Sequence, residues 1–72
     1  MKQREKQTLE EQIAKWEEVV TKRPDYRDGY LQLALLNYRL DRIYATRFYL
    51  KKVFTLDPNF EPARELEKKL RY

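Results

Sequence analysis

The chain has 72 residues, 42% hydrophobic and 39% charged, with no cysteine and no histidine. A chain of this length forms one domain that buries only about 60% of the surface its unfolded form exposes, and here neither disulfides nor the usual zinc ligands are at hand to staple so small a core. Serine is absent as well, so the commonest nucleophiles and the commonest general base are all missing and the expectation is a chain that is not an enzyme and holds no cofactor or metal. The 16 basic and 12 acidic residues leave a net charge of +4, but they are interspersed as on solvated helix faces, which argues against a nucleic-acid partner. No apolar run reaches the length of a membrane span or of a signal-peptide core, so the chain is expected not to insert into a membrane and is read as soluble and cytoplasmic.

Residues 1–7 are almost wholly polar and are expected to be a frayed extension of the first helix or a disordered lead, with the folded domain spanning 8–72. Thr8 followed by Glu11 has the form of a capping box, and Leu9, Ile13, Trp16 and Val20 recur at helical spacing, predicting a helix over about 9–22 that stops before Pro24. Asp25 is placed to cap a second helix, about 27–40, whose first turn holds Gly29. Asp41 stands where the chain must reverse, a position that favours residues tolerant of left-handed geometry. A third helix is predicted over about 42–56 and ends at Asp57-Pro58, since proline disfavours helical geometry in the residue before it. Asn59 is placed to cap a fourth, about 60–71, with Pro62 in its first turn and Ala63, Leu66 and Leu70 as a narrow apolar stripe. The outer two helices have one narrow apolar face each and the inner two a wide one, as when an outer pair covers an inner pair. The fold class is all-α.

Pro24-Asp25-Tyr26 returns as Pro58-Asn59-Phe60, 34 positions later. The same shift matches Val19 to Val53, Thr21 to Thr55 and Tyr38 to Tyr72, and pairs Leu9 with Ile43, Trp16 with Leu50, Val20 with Phe54, Gly29 with Ala63 and Leu36 with Leu70. A helical unit of this length that ends in proline marks a helix-turn-helix array, in which each unit buries its core against the next. In these positions the chain resembles the tetratricopeptide repeat, most closely over 27–60, where Tyr30, Leu33, Ala34, Leu50, Val53 and Pro58 match the family's pattern. It departs from that pattern at Asn37, Thr46 and Asp41. The resemblance covers one full repeat with a half-repeat on each side. It implies a short antiparallel array and a non-catalytic module that binds a protein or peptide partner.

The resemblance also implies a partner-binding concave face on the second helix, which here is Asp28, Leu31, Gln32, Leu35 and Arg39. The alternative for Leu31 and Leu35 is burial beneath the fourth helix. A second candidate surface is Tyr44 and Phe48, which project from the third helix beside Lys51, Lys52 and Thr55 and suit an interface anchor, with ordinary surface exposure as the alternative. Trp16 occupies a core position of the repeat and is read as packing rather than as a ligand platform. With too few repeats and no staple, self-association is expected, as a homodimer through Tyr44 and Phe48 or by exchange of a terminal helix. The competing reading is a small basic nucleic-acid-binding protein that uses Lys2, Arg4 and Lys6 with Lys68, Lys69 and Arg71, although the last three also suit the negative end of a helix dipole.

Overall fold

In a computed structural model that describes residues 2–71, the chain is all-α, with four helices in order: α1 (Gln3–Lys22), α2 (Arg27–Arg39), α3 (Ile43–Leu56) and α4 (Glu61–Lys69). Met1, at the head of the polar lead, and Tyr72, the period partner of Tyr38, lie outside the described residues. The helices pack chiefly on their neighbours in sequence, α1 on α2, α2 on α3 and α3 on α4. Two bonds, from Arg42 at the N-cap of α3 to Glu10 of α1 (2.9 Å) and from Tyr49 of α3 to Glu17 of α1 (3.2 Å), each join residues 32 apart, so these two helices lie side by side and run in the same direction. The result is a slab with extents of 35 × 33 × 16 Å, two helix layers deep.

Leu33, Val53 and Thr46 are fully buried at the centre, with Ala34 and Ala63 equally inaccessible. The two buried polar residues cost little, because each bonds back into its own helix: Asn37 Nδ2 donates to the Leu33 carbonyl (2.8 Å) and Thr46 Oγ1 to the Arg42 carbonyl (2.8 Å). The departures from the family pattern at these positions are therefore accommodated by satisfied hydrogen bonds.

The 34-residue period reappears in the bonding. At the end of α1, Arg23 N–H donates to the Val19 carbonyl (2.9 Å) and Tyr26 N–H to the Arg23 carbonyl (3.0 Å). At the end of α3, Asp57 N–H donates to Val53 (2.8 Å) and Phe60 N–H to Asp57 (3.2 Å). The side chains follow suit, with Thr21 Oγ1 donating to the Glu17 carbonyl and Thr55 Oγ1 to the Lys51 carbonyl. Between α2 and α3 the reversal is of the other kind. Asp41 takes φ 59°, Asp41 N–H donates to Tyr38 (3.0 Å) and Arg42 N–H to Asn37 (3.0 Å), the paired bonds of a Schellman turn. The left-handed geometry expected of Asp41 is present.

The predicted caps are not. α1 begins at Gln3, so Thr8 lies inside the helix and its hydroxyl donates to the Arg4 carbonyl (3.0 Å) instead of capping. The lead is rich in Gln, Arg, Glu and Lys and has neither glycine nor proline, so nothing interrupts helix growth towards the start of the chain. The N-cap positions of α2 and α4 fall on Tyr26 and Phe60, one residue beyond Asp25 and Asn59, and neither makes a side-chain cap. The tight turns from Arg23 to Tyr26 and from Asp57 to Phe60 hold the chain out of helix for that one extra residue. Pro62 does sit in the first turn of α4.

Gly29 lies where α2 abuts the end of α1. A Cβ there would lie 2.7 Å from Val20 Cγ1 and 3.1 Å from the Tyr26 ring, so the absence of a side chain is what lets the two helices meet.

Candidate functional site

α3 presents an outer face unlike any other in the molecule. Its sequence, Ile43–Leu56, contains Arg47, Lys51 and Lys52 and no carboxylate. Tyr44, Phe48 and Leu56 are the exposed large hydrophobic residues among those described, with Tyr44 90% and Phe48 56% accessible. Phe48 is held edge-on against Tyr49, with ring centres 5.2 Å apart, and the Lys52 ammonium lies 5.4 Å from its ring centre. The sequence-predicted pair thus forms a ridge with one ordered ring and one free ring, flanked by positive charge.

Tyr49 fixes the inner edge of that ridge. Its ring stacks on Tyr30 at 6.4 Å and its hydroxyl donates to Glu17. Burial, then the charge of Glu17 and the hydrogen bond to it, hold the phenol pKa above its ordinary value.

Beside the ridge, α3 and α4 enclose an open groove of about 430 Å³. Its floor is Leu50, Phe54 and Leu70, and its rim is Arg47, Lys51, Glu67 and Arg71. Arg47 is anchored by donating from Nη2 to the Leu70 carbonyl (3.2 Å), and Arg71 lies 3.7 Å from Glu67. An apolar floor inside a mostly cationic rim is suited to receiving an apolar side chain with carboxylates beside it.

The face predicted on α2 is differently disposed. Leu31 is 8% accessible and belongs to the core, and Leu35 packs against that core. Asp28 and Gln32 are partly buried, and Arg39 is exposed at a shallow hollow it shares with Lys6, Leu40 and Arg42. Asp28 is engaged at the start of α2, where Arg27 Nε donates to it (3.1 Å). The same guanidinium donates from Nη1 to Asp57 (2.7 Å) and lies 3.7 Å above the Phe60 ring. Burial works against the Arg27 charge, but the hydrogen bonds to Asp57 and Asp28 outweigh it and raise its pKa. Arg27 therefore joins the start of α2 to the turn between α3 and α4, a link the sequence reading did not contain.

Among the described residues, no group of three or more acidic side chains gathers where a metal ion could be held, and no helix is long and apolar enough to cross a membrane. No protein-family model matches the chain, and no curated protein sequence or solved structure matches it.

Tyr49, the Arg27 cluster and the groove were all missed from sequence. The groove had a signal. Projected back by 34 positions, Arg47 and Phe54 fall on Ile13 and Val20 of the α1 stripe, so the period itself indicates that this side of α3 faces a helix-sized cleft.

Proposed function

We propose that the chain is a non-catalytic protein-interaction module built from tetratricopeptide-like helical repeats, acting in the cytoplasm and binding a peptide or helix of a partner protein. The observation that carries this reading is the repetition, 34 residues apart, of the same backbone and threonine hydrogen bonds at the ends of α1 and α3. Repeated units of this kind stack into surfaces, and surfaces of this kind bind other chains. The aromatic ridge supports it further, since exposed aromatics beside arginine and lysine are the residue types that concentrate binding energy at interfaces.

Self-association is a second reading, favoured by the accessibility of Tyr44 and Phe48. A two-fold homodimer would bury this ridge against its own copy.

The test is affinity capture from a lysate of the source cells with the natural chain and with Tyr44→Ala/Phe48→Ala, followed by titration with duplex and single-stranded oligonucleotides. The expected result is a protein bound by the natural chain and lost from the variant. Micromolar, steeply salt-dependent oligonucleotide binding with no captured protein would replace the module by the nucleic-acid reading.

A further inference from the structure

The internal period turns the α3–α4 groove into a question with a structural answer already present elsewhere in the molecule. Shifted back 34 positions, its floor residues Leu50, Phe54 and Leu70 become Trp16, Val20 and Leu36. Those three line the cleft between α1 and α2, Val20 and Leu36 buried in the core and Trp16 packed against it. Over that cleft lies α3, which packs on α2 and touches α1 through its side chains, the Tyr49 hydroxyl reaching Glu17 on the rim. The α3–α4 groove is thus the second copy of a helix-receiving cleft.

The floor has kept its apolar character between the two copies, but the rim has changed sign. Ile13, Glu17 and Asn37 around the first cleft are replaced by Arg47, Lys51 and Arg71 around the second, with Glu67 in place of Leu33. We infer that the α3–α4 groove receives one amphipathic helix of a partner protein, with an apolar stripe for Leu50, Phe54 and Leu70 and carboxylates for Arg47, Lys51 and Arg71. This deepens the interaction-module reading and rests on it.

The charges choose this occupant over others. The helix of a second copy that would continue the period is α1, which carries Lys15 at the position equivalent to Tyr49. In the groove Lys15 would face Lys51, where α3 and α1 instead pair a hydroxyl with a carboxylate. A bilayer is flat and does not reach a recessed floor. A nucleic-acid backbone would meet Glu67 on the rim and gain nothing from the aliphatic floor. A helix lying in a groove, with apolar anchors one turn apart and carboxylates along the flank away from Glu67, matches both the floor and the cations of the rim.

The probe is a synthetic peptide copying residues 43–56 with Arg47→Glu, Tyr49→Glu, Lys51→Glu and Lys52→Glu, and the control is the same peptide with lysine at those four positions. Both are titrated into the isotope-labelled full chain and followed by amide chemical shifts. The expected outcome is that the acidic peptide moves the amides of Leu50, Phe54 and Leu70 and binds at least tenfold more tightly than the lysine peptide. In the chain carrying Lys51→Glu/Arg71→Glu, two exposed changes that leave the core untouched, the preference reverses. Equal binding of both peptides, or unmoved groove amides at millimolar acidic peptide, overturns the inference. So does movement of these amides by added unlabelled chain, by anionic vesicles or by an oligonucleotide. Acidic peptide bound instead around Gln32 and Leu35 overturns the groove while leaving the interaction module standing, since that reading falls only on the capture experiment.

Discussion

A single missing methyl group at Gly29 leaves room for Val20 where α1 meets α2. Replacing Gly29 by alanine gains about 1 kcal/mol of helix propensity, but the new Cβ would sit 2.7 Å from Val20 Cγ1. Val20 is buried and β-branched, so leaving its preferred rotamer is costly, and overpacking of this kind costs about 1–3 kcal/mol. Gly29→Ala is therefore expected to lower stability by roughly 1 kcal/mol net, measured by urea unfolding. In the Val20→Ala background, which removes the clashing methyl, the same change is expected to be neutral or stabilising; an equal loss in both backgrounds would show that the contact is not the cause. At the period-equivalent position Ala63 is itself wholly buried, so the second junction has room for the methyl that the first excludes. Tyr49 gives a pH signature at the same scale. Its pKa is raised by folding, so the protonated phenol is favoured in the native state. The corresponding stability is fully present below the unfolded value of about 10 and is lost as pH rises through the higher folded value. Tyr49→Phe is expected to flatten the fall in stability above about pH 10 while leaving its slope near neutrality unchanged; identical alkaline profiles for the two chains would remove Tyr49 from the account.

Among the elements, α4 is the shortest helix and packs on α3, with Arg27 as a second attachment through Asp57 and Phe60. Both members of the Arg27–Asp57 pair are about a third accessible, so solvent screens it and its contribution is small. Arg27→Met keeps the stem and removes the fork. It is expected to speed amide hydrogen exchange in α4 several-fold and to leave exchange in α2 within experimental error; uniform acceleration across all four helices would mean that the link is global instead of local. The elements also show what the sequence made legible. Apolar spacing with Pro24 and Pro58 places all four helices, because burial of a stripe and loss of a backbone donor are local properties that each segment carries with it. The caps at Thr8, Asp25 and Asn59 were misjudged because capping depends on where the preceding turn releases the chain. That position is decided by the bonds to Arg23 and Asp57 in the turns and by uninterrupted helix formers before Thr8. At the candidate site, Tyr44 and Phe48 were legible as an outward pair from helical phase alone. Leu31 was harder. The phase that puts it on one face with Asp28, Gln32, Leu35 and Arg39 carries no information on how far neighbouring helices reach around α2, and in the fold it lies within the core.

For the molecule as a whole, the ridge and the groove adjoin on one helix and share Arg47 and Lys51 between them. A two-fold pairing through Tyr44 and Phe48 would bring two sets of Arg47, Lys51 and Lys52 together with no carboxylate on either copy of α3. The expected homodimer is accordingly strengthened by salt, which screens that repulsion, and shifted to monomer by Phe48→Glu with the helices largely retained. Sedimentation equilibrium at low and high ionic strength checks both statements, and a single 9.0 kDa species at high micromolar concentration in each would exclude the dimer. The order of packing has a further consequence, for time. Each helix packs chiefly on the helix next to it in the chain, so few long loops must close before contacts begin to stabilise the fold. Chains with this topology fold in microseconds to milliseconds. Relaxation after a temperature jump is therefore expected to be complete before a stopped-flow mixer could begin to record it, and a phase lasting seconds would point to a barrier outside helix docking.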